Sequence, residues 1–106
     1  RQMCIRDSVK PVPYADPNHY QKVAKRRAAE IPGAVWADQF DNTANRDGHY
    51  HTTGMEIWRD TGGRLDAFVA ATGTGGTLGG VSACLKERSP GVRIVLADPQ
   101  GSALYR

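Results

Sequence analysis

The stretch TGTGGTLGG (72–80) places five glycines within nine residues. It directly follows the apolar run AFVAA (67–71), which is typical of a buried β-strand, and it leads into a segment with helical spacing. Ordering a glycine costs more backbone entropy than ordering any other residue, so this concentration needs a reason. A strand that enters a glycine loop at the start of a helix is typical of an anion-binding site, because main-chain N–H groups can then approach the ligand closely.

The loop predicts a phosphate ester as the ligand. The start of the following helix offers unpaired N–H groups and a partial positive charge, and glycines remove the β-carbons that would hold an anion away. Threonine hydroxyls add further donors. The residues expected to bind the phosphate are therefore Gly73, Thr74, Gly75, Gly76 and Thr77. Close helix–sheet packing is the alternative explanation for such glycines, and it is the one we expect for Gly79 and Gly80.

Two common nucleotide motifs do not match the loop. No lysine or arginine occurs between Arg64 and Lys86, which excludes the nucleotide P-loop. The dinucleotide fingerprint fails because Leu78 stands where its last glycine belongs, although Asp98 could imitate the ribose-binding acid. Because of Asp98, a dinucleotide-binding oxidoreductase stays open as an alternative despite the failed fingerprint. A non-catalytic module that binds a phosphate or nucleotide is a further alternative.

Hydrophobic periodicity predicts an α/β fold. Helical spacing covers 16–33, 47–60 and 77–89, and short apolar runs at 34–37, 65–71 and 92–97 are typical of strands. This alternation predicts a three-layer architecture with a parallel sheet. Parallel sheets bind ligands beyond the carboxyl ends of their strands, where the loops around Gln39, the glycine loop and residues 98–102 are expected.

The composition limits the classes of function. The chain has 106 residues, of which 40% are hydrophobic and 24% charged, so it is one small domain or part of a larger one. No apolar run reaches the roughly eighteen residues of a membrane helix. A net charge of +3 does not predict a nucleic-acid partner, and the basic cluster is expected to be a solvated helix face. That cluster consists of Lys22, Lys25, Arg26 and Arg27.

The remaining polar residues of note do not predict a metal site. His49 and His51 are two positions apart and diverge on a helix, so these histidines and His19 are expected on the surface or in packing contacts. Cys84 lies within a predicted helix and is expected to be an inert thiol. With Cys4 as the other cysteine, the chain has no disulfide framework, which fits a reducing cytoplasm.

Several segments together carry a family resemblance. They are DPN (16–18), WADQFDN (36–42), TTGMEIW (52–58), the glycine loop and ADPQGSALY (97–105). In these segments the chain resembles cysteine synthase (O-acetylserine sulfhydrylase), a fold-type-II pyridoxal-phosphate enzyme with the tryptophan synthase β-like fold. The loop alone is typical of the superfamily, and the QFDN and TTGMEIW segments narrow the resemblance to the branch that also contains cystathionine β-synthase.

The resemblance implies a reaction, a cofactor and partners. The reaction replaces the acetate of O-acetylserine with sulfide, which gives cysteine, and the cofactor is pyridoxal 5′-phosphate. Residues 73–77 would hold the cofactor phosphate, and Gln39 would face the substrate side. Cystathionine β-synthase, which accepts homocysteine as second substrate, is the alternative. A cytoplasmic homodimer is the expected parent protein.

The resemblance also implies that this chain is a central fragment. The lysine that carries the cofactor in the family precedes the matching region, so no lysine here is assigned a catalytic role and the chain alone is expected to be inactive. The opening MCIRDS (3–8) resembles the translation of a transposase end sequence used in sequencing libraries. Residues 1–8 are therefore expected to be an assembly artefact, and residues 9–106 a partial pyridoxal-phosphate enzyme domain.

Overall fold

A computed structural model describes residues 10–102 of the chain. It divides into two compact units, the first ending at Asp38 and the second beginning at Gln39. The octet expected to be an artefact and the last residues of the ADPQGSALY segment lie outside the described residues. The elements in chain order are α1 (Tyr20–Glu30), α2 (Ala44–His51), α3 (Thr53–Asp60), β1 (Ala67–Ala70), α4 (Gly76–Arg88) and β2 (Arg93–Leu96).

Helix α1 of the first unit is shorter than predicted at both ends. Asp16 forms a turn before the helix: its side chain accepts the N–H of Asn18 at 2.7 Å, and its carbonyl accepts the N–H of His19 at 3.0 Å. At the other end Ile31 leaves the helical region, with φ −104° and ψ 115°. Pro32 explains this exit, because a proline disfavours the helical conformation of the residue before it.

Three of the four basic residues of α1, Lys25, Arg26 and Arg27, are exposed as predicted, and Lys22 is half-buried. Arg26 donates a 2.7 Å hydrogen bond to the carbonyl of Pro17, and the ammonium of Lys25 lies 5.2 Å from the centre of the Trp36 ring. Both cationic groups therefore contact residues that lie within about eleven positions of them in the sequence. The exposed Arg27 pairs with the carboxylate of Glu30 at 3.5 Å, a surface ion pair that contributes little to stability.

The strand predicted at 34–37 does not form, and this prediction is wrong. Within residues 10–102 only β1 and β2 pair as strands, so the sheet has two strands where three were predicted. Val35, in the middle of this apolar run, is 89% exposed. An apolar run becomes a strand only when another strand satisfies its main-chain groups, and no described strand pairs with this segment.

The second unit has the predicted α/β architecture. Strands β1 and β2 are parallel, in a register that pairs Phe68 with Ile94 and Val69 with Val95. Phe68 and Ile94 pack against a buried core, whereas Val69 on the alternate face is exposed. Helix α4 supplies most of that core, whose buried members are Val81, Leu85 and Val92, with Ile57, Trp58 and Leu65 packed against them.

The predicted helix 47–60 is two helices in the structure. The helix is interrupted at Thr52, where φ is −115° and ψ is −80°. The Thr52 hydroxyl donates a 2.8 Å hydrogen bond to the carbonyl of Gly48. Threonine hydroxyls that bond to the preceding turn often bend helices, which explains why a continuous polar–apolar pattern accompanies a broken helix.

Helices α2 and α4 are in close contact at a glycine. A β-carbon added at the buried Gly80 would lie 2.8 Å from both the β-carbon of His49 and the main-chain nitrogen of Tyr50. A β-carbon added at the exposed Gly79 would meet its nearest neighbour, the Arg46 side chain, at an ordinary 3.8 Å. Helix–sheet packing was predicted for both glycines, whereas the structure has close helix–helix packing at Gly80 and no close contact at Gly79.

Tyr50 joins the far ends of the same two helices. Its hydroxyl donates a hydrogen bond to the carboxylate of Glu87, which raises the pKa of Tyr50 above the usual 10.0, with desolvation adding to the effect and Arg88 opposing it. A raised pKa means that this contribution to stability is fully present below about pH 10 and is lost as the pH rises through the folded-state pKa.

We expect Glu87→Gln to lower the pKa of Tyr50 towards that of a free tyrosine, because a neutral amide does not favour the protonated phenol as a carboxylate does. Tyrosinate absorbance measured against pH gives the pKa, and subtracting the Tyr50→Phe titration isolates this residue. Glu56→Gln on α3 is the matched control and should leave the pKa of Tyr50 unchanged. An identical Tyr50 titration in the Glu87 variant would contradict the assignment.

Candidate functional site

The glycine loop connects β1 to α4, as the sequence predicts. Residues 71–75 form the connection, and Gly75 occupies the N-cap position of α4. Its φ of +91° lies in the left-handed region, which strains any residue with a β-carbon. This conformation turns the chain sharply from the strand into the helix, and the turn brings the first N–H groups of α4 to the end of the sheet.

The start of α4 is an electropositive surface. The described structure has no side-chain cap and no acidic residue in the first turn of this helix. The first N–H groups of a helix have no partners within the helix, and they carry a partial positive charge. Residues 71–78, which include all five predicted phosphate-binding residues, line a cavity of about 60 Å³.

The space around the loop glycines fits an anion. A β-carbon built at Gly73 or at Gly75 would have no other atom of residues 10–102 within 4 Å. A β-carbon at Gly76 would instead collide with the side chain of Asn45, whose Cγ would be 2.7 Å away. A side chain at position 76 would therefore have to displace that of Asn45, and Gly75 is required by its backbone conformation. Gly73 has neither requirement, so its missing side chain leaves open space beside main-chain donors.

Gln39 lies at the same site as the loop. It lines a second cavity, of about 200 Å³, together with Thr74 and Gly75. The other residues around this cavity come from the segment that leads into α2, and they include Asn42, Thr43, Asn45 and Arg46. The structure thus brings the predicted substrate-side residue to the predicted phosphate site, although the strand expected before Gln39 does not form.

The ends of the two strands are adjacent, as a parallel sheet requires. The N–H of Ala97, just beyond β2, donates a 3.0 Å hydrogen bond to the carbonyl of Ala70 at the end of β1. The loops after β1 and β2 therefore leave the sheet at one edge. Asp98 follows β2 there, and its Oδ2 atom is buried with no hydrogen-bond partner among the described residues.

His49 is a functional candidate that sequence reasoning missed. It was expected on the surface or in packing contacts, yet both of its ring nitrogens lie at hydrogen-bond distance from threonine hydroxyls. Nδ1 is 2.9 Å from Oγ1 of Thr53, and Nε2 is 3.0 Å from Oγ1 of Thr77 in the glycine loop. The spacing of His49 and Thr53, four residues apart, was visible in the sequence, but the contact with Thr77 depends on the packing of α2 against α4.

Metal-ligand clusters and membrane-spanning helices are both absent from the described residues. Among residues 10–102, no three histidine, cysteine or acidic side chains are grouped as metal ligands would be. The same part of the chain contains no helix with the length and apolar character to cross a membrane. Cys84 is fully buried, and the guanidinium of Arg88 lies 3.3 Å from its sulfur.

Comparison with known proteins assigns a family to this arrangement. The family model described as "Pyridoxal-phosphate dependent enzyme" matches residues 7–106. Cysteine synthase 2 of Schizosaccharomyces pombe is 49% identical over 104 residues, which cover 92% of this chain and 26% of that protein. Cysteine synthase 1 of Emericella nidulans is 54% identical over 101 residues, which cover 92% of this chain and 27% of that protein.

A solved structure agrees with these sequence matches. The O-acetylserine-dependent cystathionine β-synthase of Helicobacter pylori is 41% identical and superposes with a TM-score of 0.74 over 78% of this chain and 27% of that one. The chain therefore spans about a quarter of the length of the curated relatives and of the structure that it matches.

Proposed function

This chain belongs to the pyridoxal-phosphate dependent enzyme family, and on that premise we propose that its glycine loop holds the phosphate group of the cofactor. The resemblance to cysteine synthase and the fold-type-II architecture are confirmed by relatives about half identical in sequence and by the structural match. Pyridoxal phosphate is therefore the cofactor of the family, and the proposal concerns which residues of this chain bind it.

The proposal depends on the open space at Gly73. Nothing in the described chain requires a glycine there, since its β-carbon position is empty and its φ is not in the left-handed region. An anion held by the N–H groups at the start of α4 would require that empty space, because a β-carbon would keep the phosphate oxygens away from the main chain. The hydroxyls of Thr74 and Thr77 would add side-chain donors to the main-chain donors.

We propose that the parent enzyme is a cysteine synthase, which replaces the acetate of O-acetylserine with sulfide. The identity to two proteins named cysteine synthase supports this reaction. When bound, pyridoxal phosphate supplies the electron sink that such a replacement needs. The residues of this chain would orient the cofactor through its phosphate, while Gln39 lines the adjoining cavity, where the amino-acid substrate would lie.

Cystathionine β-synthase activity is the second candidate. The Helicobacter pylori relative carries that name and is described as O-acetylserine dependent, so the first substrate could be shared by both activities. The second substrate separates them. Product formation with sulfide would identify a cysteine synthase, and product formation with homocysteine would identify a cystathionine β-synthase.

The phosphate site can be tested with pyridoxine 5′-phosphate. This compound carries the phosphate ester but no aldehyde, so it does not react with the surface lysines as pyridoxal phosphate would. We expect the 106-residue chain to bind it at least about tenfold more tightly than pyridoxine, because charge-assisted hydrogen bonds contribute about 1.5–3 kcal/mol. Calorimetry gives both affinities, and phosphorus NMR reports contact with the phosphate. Equal affinity for the two compounds would contradict the proposal.

A further inference from the structure

The imidazole of His49 connects three helices at the glycine loop. Thr53 is the first residue of α3, Thr77 is the second residue of α4, and the half-buried His49 ring on α2 lies between their hydroxyls at 2.9 and 3.0 Å. Gly80 of α4 packs closely against the β-carbon of His49, which fixes the position from which the ring extends. A hydroxyl on an exposed residue such as Thr77 would otherwise rotate freely.

The number of protons on the imidazole limits the possible directions of its two hydrogen bonds. A neutral imidazole has one N–H donor and one acceptor nitrogen, so one of the two hydroxyls must donate to the ring and the other must accept from it. The Thr77 hydroxyl has a single proton. The hydroxyl can donate this proton to an anion only if, in its hydrogen bond with His49, the ring is the donor.

We propose that His49 is a positioning residue for the phosphate site and is held as the Nε2–H tautomer. In this arrangement the Thr53 hydroxyl donates to Nδ1, and Nε2–H donates to Oγ1 of Thr77. The Thr77 proton is then directed to the phosphate. The inference rests on the proposed function, since it needs an anion at the loop, but it assigns a role to His49 and Thr53 that the phosphate site alone does not require.

A double-mutant cycle in the 106-residue chain separates positioning from general stabilisation. We expect Thr77→Val to weaken the binding of pyridoxine 5′-phosphate by about tenfold or more, and His49→Phe to weaken it by about three- to tenfold. In the Thr77→Val background, His49→Phe should have no further effect, because the hydroxyl that it positions is gone. Thermal unfolding and circular dichroism of each variant establish that the protein is folded.

Matched variants keep the test interpretable if His49→Phe does not fold. His49→Gln keeps a donor near the Nε2 position and should keep most of the affinity. His51→Phe is the control: it replaces a histidine of the same helix that makes neither of these hydrogen bonds, and it should have no effect. Thr53→Val should weaken binding, whereas Thr53→Ser should not. Nitrogen NMR of His49 should show a protonated Nε2 and an unprotonated Nδ1.

The outcomes distinguish this inference from the proposed function. If the unmodified chain does not prefer the phosphate ester over pyridoxine, the phosphate site itself is wrong. If the preference is present, but His49→Phe and Thr77→Val weaken binding by independent factors, the positioning role is wrong. A proton on Nδ1 of His49 and none on Nε2 in the complex would overturn the assigned tautomer, because Thr77 would then have to donate to the ring.

Discussion

Replacing Gly80 with alanine is expected to destabilise the protein strongly. The new β-carbon would lie 2.8 Å from the main-chain nitrogen of Tyr50 and from the β-carbon of His49, and it would also collide with the carbonyl oxygen of Arg46. These atoms belong to the body of α2, which cannot move away as the end of a flexible side chain can. Overpacking of this kind costs typically about 1–3 kcal/mol, and we expect the upper part of that range.

Gly79→Ala is the matched control, since it adds the same methyl group to the same helix one residue earlier. Its β-carbon would be exposed and 3.8 Å from its nearest neighbour among the described residues, the side chain of Arg46. Alanine favours the helix over glycine by up to about 1 kcal/mol, so this variant should be as stable as the original chain or more stable. Urea unfolding of both variants gives the free energies of unfolding. Equal stability of the two variants would contradict the close contact of α2 with α4.

Gly73→Ala, in contrast to Gly80→Ala, is expected to retain the stability of the protein but to weaken the binding of the phosphate ester. Its β-carbon meets no described atom within 4 Å, and its φ is not left-handed, so the free energy of unfolding should change by less than about 0.5 kcal/mol. The same β-carbon would occupy the space proposed for the phosphate. We expect the affinity for pyridoxine 5′-phosphate to fall by about tenfold or more, because at least one charge-assisted hydrogen bond from the main chain is lost.

Gly91→Ala provides the control for Gly73→Ala. Gly91 is also exposed, has no left-handed φ and has no atom of the described residues near its β-carbon position, but it lies in the turn before β2 and away from the loop. Its variant should keep both stability and affinity. If Gly73→Ala bound the phosphate ester as tightly as Gly91→Ala does, the empty space at Gly73 would not be a ligand site.

The sequence was sufficient to predict the features that depend on neighbouring residues. The predicted strand at 65–71, the glycine loop and the predicted helix at 77–89 correspond to β1, the loop and α4 within one or two residues, because turn geometry and helix starts follow from local backbone preferences. The same holds for the α/β class and the parallel pairing of β1 with β2. The segments that resemble cysteine synthase identified the family before any contact was known.

Local patterns also explain the errors. The apolar run at 34–37 resembles a strand, yet a strand is defined by a partner that the run itself does not specify. The pattern of 47–60 is continuous, yet the side chain of Thr52 bonds to the carbonyl of Gly48 and the helix breaks there. Both differences arise from hydrogen bonds, which hydrophobic periodicity does not record.

Only the tertiary structure determined how distant residues meet at the site. Gly79 and Gly80 are equivalent in the sequence, and the approach of α2 makes one of them indispensable and leaves the other exposed. His49 contacts Thr77 across 28 positions of the chain for the same reason. Close packing of two helices depends on the shapes of both surfaces at once, so no segment read alone contains that information, whereas the conformation of the glycine loop is set by the residues within it.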